Sequence, residues 1–313
     1  MFNIVEKRGW YFLLSALIIT PGLIAMIYST ITYGTPLRLS IDFTGGSFWE
    51  IRFQEPVQPT EVRDIFVDRG FTDTVVQTVG DGRTVVIRLK PIDNEMKVEL
   101  RQVLEERFGP IEERQFRSVG PAIGQEVTRA ATVAVFAAAV AILGFIIFAF
   151  RKVPHPFRFG ICAIIAMIHD ILVTAGLFSI AGIFLGWEVD ALFLTALLTV
   201  IGFSVQDTIV VFDRIRENVP KRRGEPFETI VNRSLLETLH RSLATQLNAI
   251  FVMIAILLFG GATIKQFIAT MLVGLISGTY SSIFNAVPLL VVWEKGDISR
   301  LWARLRGRQP ATA

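Results

Sequence analysis

The sequence predicts an α-helical integral membrane protein of six transmembrane helices, with an α+β domain inserted between the first and the second. Three observations predict it. Of the 313 residues, 52% are hydrophobic and the mean hydropathy is +0.52, more apolar than an ordinary soluble domain. Runs long enough to cross a hydrocarbon core, which takes about 20 helical residues for about 30 Å, recur along the chain. Between the first two, residues 37–120 turn charged and alternate strand-like with helix-like patterns.

The first span runs from Trp10 to about Ile31, behind Lys7 and Arg8, and residues 1–36 form the N-terminus with this helix. It is longer than a signal-peptide core and lacks a small-residue cleavage pattern, so it reads as a retained anchor. Pro21-Gly22 predicts a kink in it. In the inserted domain Ser47–Phe53 reads as a strand and Thr60–Arg69 as a helix with Thr60 as its N-cap. The β-branched runs Thr74–Val79 and Thr84–Leu89 flank Gly80-Asp81-Gly82-Arg83, a hairpin signal. Asp93–Phe108 is a helix that stops at Gly109-Pro110, and Glu112–Val119 is a last strand. The order βαββαβ is that of a ferredoxin-like domain.

Residues 121–292 predict a five-helix bundle, with spans at about 127–150, 159–182, 191–212, 243–260 and 267–292. Arg151, Lys152 and Arg158 lie in the connection between the second and third spans, and Arg214, Arg216, Lys221, Arg222 and Arg223 in that between the fourth and fifth; the tail 293–313 adds Lys295, Arg300, Arg304, Arg306 and Arg308. By the positive-inside rule these regions and both termini are cytoplasmic, and the inserted domain is exported. Residues 213–239 read as a cytoplasmic amphipathic segment, with Glu225–Leu239 an amphipathic helix lying at the inner surface and running into the fifth span. The net charge of +3 is small and its basic residues flank the spans, which fits orientation in lipid and no nucleic-acid partner. The single cysteine, Cys162, rules out an intrachain disulfide.

Charged groups inside a spanning helix cost roughly 2.5–3.5 kcal/mol on insertion scales and need a reason. The third span carries His169 and Asp170, the fourth Ser204, Gln206 and Asp207, the fifth Arg241, Gln246 and Asn248, and the sixth Asn285. At about 1.5 Å per residue, Asp207 and Arg241 lie at compatible depths on consecutive antiparallel helices, so an ion pair is expected. Acidic, amide and basic groups through one half of a bundle suit a proton relay: Asp207, Arg241, Asp170 and His169, with Ser204, Gln206 and Asn248 in support. Against it stand plainer readings. His169 and Asp170 can bridge helices, Arg241 can snorkel, and Asp213 and Arg214 are better topology anchors than catalysts. Gly274 and Gly278 form a GxxxG that signals packing. No phosphate-binding loop, H-E-x-x-H or G-x-S-x-G is present, and no cofactor, metal or hydrolytic reaction of its own is implied.

Val200–Asn218, VIGFSVQDTIVVFDRIREN, closely resembles the fourth-span signature of the SecF family, the smaller half of the bacterial SecD–SecF translocation accessory. Asp42-Phe43-Thr44-Gly45-Gly46 resembles the D-F-x-G-G motif opening that family's exported domain, and Val119-Gly120-Pro121-Ala122-Ile123-Gly124 resembles its V-G-P-x-V-G segment; His169-Asp170 also matches. Gln206 stands where the family more often has Asn, and Phe203 where Tyr is common. The resemblance covers the whole chain and implies a member of the resistance-nodulation-division superfamily in the cell inner membrane. It implies a pseudo-symmetric set of twelve spans with SecD, and association with the SecYEG channel, YajC, SecA and the translocating preprotein. The proton-motive force then drives movement of the exported domains after SecA has started export, and the family's transport-critical Asp and Arg match Asp207 and Arg241. Asp42, Gly45, Gly46, Gly120, Pro121 and Gly124 read as hinge and junction points, since glycine reaches backbone angles closed to other residues. Two other functions compete: a purely structural subunit that moves no protons, and a proton-coupled small-molecule exporter of the same superfamily.

Overall fold

The computed structural model describes residues 3–151, 153, 155–222 and 224–296. Lys152, Arg223 and the tail arginines Arg300, Arg304, Arg306 and Arg308 lie outside them. The chain divides into two compact units, Leu39–Val133 and Met1–Arg38 with Ala134–Ala313.

The smaller unit opens with a single helical turn, α2 (Ile41–Thr44), after the longer α1 described below; Ser40 caps it by accepting from the Asp42 N–H at 3.2 Å. Then follow β1 (Gly46–Phe53), α3 (Pro59–Val67), β2 (Val75–Val79), β3 (Thr84–Leu89), α4 (Asn94–Phe108) and β4 (Ile111–Val119). The strands form one antiparallel sheet in the order β2-β3-β1-β4. Period-2 alternation sends Trp49, Ile51 and Phe53 of β1 and Val85, Ile87 and Leu89 of β3 to one face. There they meet Val62, Ile65 and Phe66 of α3 and Leu100 and Leu104 of α4 in one hydrophobic cluster. Asp93 caps α4 by accepting from the Met96 N–H at 2.9 Å. Thr60 does not cap α3: Pro59 takes the first helical position, so the helix begins one residue earlier, behind Gln58.

The larger unit holds α1 (Arg8–Tyr33), the end of α5 (Pro121–Ala149), α6 (Pro156–Leu185), α7 (Ala191–Lys221), α8 (Phe227–Phe259), α9 (Ala262–Ser281) and α10 (Val287–Glu294). Among the described residues, six helical stretches are long and apolar enough to cross a membrane. Pro21 sits inside an unbroken α1. A π-turn, Ser282–Ala286, separates α9 from α10. Pro288 follows it, and a proline without an N–H cannot continue the regular helical ladder. The sixth predicted span is therefore α9, the π-turn and α10 together.

Within residues 213–239, α7 runs on to Lys221, and Phe227–Leu239 is helical and runs into the fifth span as the start of a continuous α8. Its apolar face buries Val231 and Leu235 among Val5, Phe212 and Ile215, and protein takes the place expected for lipid. The helices of the bundle are unequally buried. In the most apolar window of α5 only 6% of residues are buried, and its last turns supply the buried Ile146, followed by Phe150.

Glycines set the closest approaches. A Cβ on Gly22 of α1 would lie 2.6 Å from the Gly176 Cα of α6, so the two backbones touch. The GxxxG of α9 faces α7, with Gly274 against Val200 and Gly278 against Ser204. Overpacking such contacts costs roughly 1–3 kcal/mol. Gly22→Leu should lower the thermal unfolding midpoint of the full chain in detergent. Gly9→Leu, where nothing lies within 4 Å of an added Cβ, should leave it nearly unchanged.

Candidate functional site

Two buried carboxylates organise the interior of the larger unit. Asp170, midway along α6, is 1% exposed. Its Oδ2 accepts from Ser204 Oγ of α7 at 2.5 Å and from Ser281 Oγ of α9 at 2.6 Å. Its Oδ1 accepts from Ser277 Oγ of α9 at 2.6 Å and lies 3.0 Å from His169 Nδ1. The arrangement follows from helical spacing. Ser277 and Ser281 are four residues apart and share one face of α9, and Gly278 between them lets that face approach Ser204. A carboxylate has about four lone-pair positions, and these partners fill them.

Asp207 lies three residues beyond Ser204, one turn further along α7, and is 6% exposed. Its Oδ2 accepts from Gln246 Nε2 at 2.5 Å, and Ser242 Oγ stands 3.5 Å from its Oδ1. Ser242 and Gln246 again share one face, here of α8. Asp207 therefore has one short partner and one long one, both neutral.

The ion pair expected between Asp207 and Arg241 is not formed. Arg241 is exposed, since it lies about 100° around the helix from Ser242 and points away from α7. Gln206 and Asn248 are exposed as well, as is Thr245. Of the predicted relay, then, His169, Asp170 and Ser204 come together, Asp207 sits one turn away, and Arg241, Gln206 and Asn248 line an outer surface. Sequence reasoning missed Ser242, Ser277 and Ser281. Their signal was present: a polar residue recurring at four-residue spacing within an apolar run.

A second polar cluster lies near His169. Its ring stands 6.0 Å from that of Tyr280, whose hydroxyl donates to the Tyr11 carbonyl at 2.7 Å. Asn285 of the π-turn accepts from Ser15 Oγ of α1 at 3.0 Å. The junction residues come together in the smaller unit. Gly45 (φ +72°) and Gly46 (φ +124°) take backbone angles that favour glycine. A Cβ on Gly45 would lie 2.9 Å from the Pro121 Cα, and one on Gly124 would lie 2.8 Å from the Phe43 carbonyl oxygen. Gly120 has open space around it, and Asp42 lies 3.9 Å from Arg117. The Gly45–Pro121 and Gly124–Phe43 approaches are contacts of close packing.

Six apolar helices around buried carboxylates, with a small sheet domain after the first, define a multi-pass membrane protein of the export machinery once the comparisons are added. Residues 99–296 match the family described as protein export membrane protein SecD/SecF, C-terminal. Over the full length of both chains, this one is 51% identical to the protein translocase subunit SecF of Thermobaculum terrenum and 49% identical to that of Anaerolinea thermophila. The crystal structure of SecDF, a translocon-associated membrane protein from Thermus thermophilus, superposes with a TM-score of 0.77 at 32% identity, covering 94% of this chain and 39% of that one. SecDF in a super-membrane-facing form gives a TM-score of 0.63 at 31% identity, covering 97% and 40%. The chain thus spans the whole of the SecF relatives but about two fifths of the solved SecDF chains. It belongs to the SecF family of protein translocase subunits, multi-pass proteins of the inner membrane.

A buried donor left without an acceptor costs on the order of 1–3 kcal/mol. Asp170→Ala strands hydroxyls on two neighbouring helices, whereas Ser277→Ala vacates one carboxylate position. The first should lower the thermal midpoint in detergent clearly more than the second; equal effects would show that the serines do not depend on Asp170.

Proposed function

We propose that the chain acts with SecD to couple the proton-motive force to preprotein movement through the SecYEG channel, after SecA has begun export. The observation that supports this best is Asp207, a carboxylate inside an apolar bundle with neutral partners. Taking up a proton there removes a buried charge and releasing it restores one, a change able to bias a bundle with two arrangements. Potential supplies the work, at about 2.3 kcal/mol per proton per 100 mV. Asp170 and His169 of α6, which meet α7 at Ser204 one turn from Asp207, extend the relay.

Partnership with SecD is supported by the exposed polar stretch of α7 and α8, where Gln206, Arg241, Thr245 and Asn248 stand outside this chain's own core. Such groups are costly in lipid and are accommodated against a second bundle. The thin contact of α5 fits the same picture. YajC is a further partner on this reading. The small unit, with its βαββαβ order and β2-β3-β1-β4 sheet, is a ferredoxin-like exported domain, and Gly45, Pro121 and Gly124, packed within it, are its hinge points.

A structural role for the chain has one observation in its favour: Asp170 ties α6, α7 and α9 as a staple would. Asp207→Asn separates the readings, since asparagine keeps the volume and can still bond to Gln246. The variant should assemble with SecD yet lose the gain in preprotein translocation that an imposed proton gradient brings in vesicles, while SecA-driven initiation survives. Full retention of that gain would make the structural reading the better one.

Orientation follows from the charges. Arg151, Arg158, Arg214, Arg216 and Arg222 gather at one end of the helices, where α5, α7 and α10 end, and this end is cytoplasmic by the positive-inside rule. Cysteines placed at Asp81 and Arg222 should react with an impermeant label from opposite sides of sealed vesicles. Labelling from the same side would overturn the topology.

A further inference from the structure

We infer that the pocket between α1 and α6 takes a neutral, membrane-dissolved alcohol or phenol, whose hydroxyl bonds to His169 and Asn285. The pocket has a volume of about 320 Å³. Phe12 of α1, Ile168 and Leu172 of α6 and Leu289 of α10 give it apolar walls, and Ser15, His169 and Asn285 also line it. These three polar residues form one neighbourhood. Ser15 Oγ donates to Asn285 Oδ1 at 3.0 Å and stands 3.4 Å from the Tyr280 hydroxyl. The Tyr280 ring in turn stacks on His169, with centres 6.0 Å apart. His169 is 8% exposed, and its Nε2 is buried without a hydrogen-bond partner. Nδ1 faces the Asp170 carboxylate at 3.0 Å. The imidazole proton is therefore assigned to Nδ1, and Nε2 is an acceptor.

Asn285 spends its Oδ1 on Ser15, and its Nδ2 carries two N–H donors. An acceptor and a donor on one pocket call for a group that is both. A hydroxyl has one O–H and two lone pairs, whereas a carbonyl or an ether has no proton for Nε2. No ionic group is called for: among the described residues lining the pocket only His169 can ionise, and it already faces a carboxylate. Water offers the same hydroxyl, and volume decides between the two sources. At about 30 Å³ per molecule the pocket has room for roughly ten waters, each wanting about three hydrogen bonds. Three polar side chains among apolar walls cannot hold that many. An alcohol with an apolar body covers the walls with hydrocarbon and brings one hydroxyl to the polar residues. Ile165 and Ile168, 43% and 47% exposed, also line the pocket, so it is reached from the lipid side of α6. His169 sits midway along α6, at a depth where a hydroxyl without a partner is costly. The binding does not rest on proton coupling; where that coupling operates, the ligand sits at the His169 end of the relay.

The experiment uses the full chain in complex with SecD, reconstituted in bilayers with one of two photoreactive probes: octanol carrying a diazirine on its chain, or octane carrying the same diazirine. After irradiation, labelled peptides are mapped by mass spectrometry. The octanol probe should label Phe12–Ile19 and Ile165–Leu172 at least several-fold over the octane probe, against its own bulk preference for headgroup depth. Ile168→Trp, which fills the pocket from its exposed side, should abolish that labelling. Ile254→Trp, exposed on α8 and outside the pocket, should leave it. His169→Phe and Asn285→Leu should each bring the two probes level, with an unchanged elution profile showing that the variants fold; the comparison of probes on the unaltered chain needs neither variant. Three outcomes overturn the inference. Equal labelling by the two probes means that hydrocarbon alone fills the pocket. Absence of octanol labelling at both segments removes the alcohol site, and reaction of Ile168→Cys with a water-borne thiol reagent would then show that water fills it. A preference for octanol that survives both His169→Phe and Asn285→Leu means that these residues do not read the hydroxyl.

Discussion

A carboxylate inside an apolar bundle has no water to solvate it and must find donors on neighbouring helices. Asp170 is where this constraint acts hardest. Two of its donors come from α9 and one from α7, with His169 beside it, so α6, α7 and α9 cannot separate without stranding a charge. The spacing of Ser277 and Ser281, the glycine between them and the approach of Ser204 all follow from that need. The same reasoning applies less strongly at Asp207, which binds α7 to α8 through Gln246.

The two units answer to different solvents. The sheet domain is held as water-soluble domains are, by moving Trp49, Ile51, Phe66, Leu100 and Leu104 out of water. Helices surrounded by hydrocarbon gain nothing from burying one more leucine, so close backbone approach and polar bonds hold them instead. Hence the contact of Gly22 with Gly176, and of Gly278 with Ser204. Where the helices run past the apolar zone the means change again. Arg214 pairs with Glu237 at 2.5 Å, and Glu228 takes both Arg8 at 3.0 Å and Lys295. Asn232 accepts from the Ile4 N–H at 2.8 Å, fixing the chain's start against α8. Arg214, read from sequence as a topology anchor, thus also ties the end of α7 to α8.

Much of this was legible in the sequence. Apolar run length located the helices, and β-branched runs around Gly80–Arg83 located the hairpin, because both signals are local. Thr60 misled because Ser/Thr capping and proline at the first helical position compete for the same turn, and proline's fixed φ prevailed. The segment after Asp213 misled because an amphipathic face reads the same whether lipid or protein covers it. Val231 and Leu235 needed Val5 and Phe212, more than two hundred residues and about twenty residues away in sequence, to show which. In the site, residue type and depth located Asp170 and Asp207. Depth alone could not give azimuth. Arg241 lies at the right height beside Asp207 and on the wrong side of α8, while Ser242, its neighbour, faces in.

The difference between the two carboxylates bears on how they divide the work. Asp170 accepts from three serines on two other helices, so a serine that turns away loosens α7 or α9. Asp207 has one short bond and one long one, so a proton can be accommodated at little cost in existing contacts. On the proposed reading the proton binds first at Asp207, and α7 is the element that feels it. Ser204 lies on that helix one turn away, with Thr208 bonded back to its carbonyl at 3.1 Å. A rotation or slide of α7 that answers a change at Asp207 therefore pulls on the Asp170 cluster as well. On that reading the two arrangements of the bundle would differ in whether that cluster is complete; packed interiors switch between discrete states and do not deform smoothly.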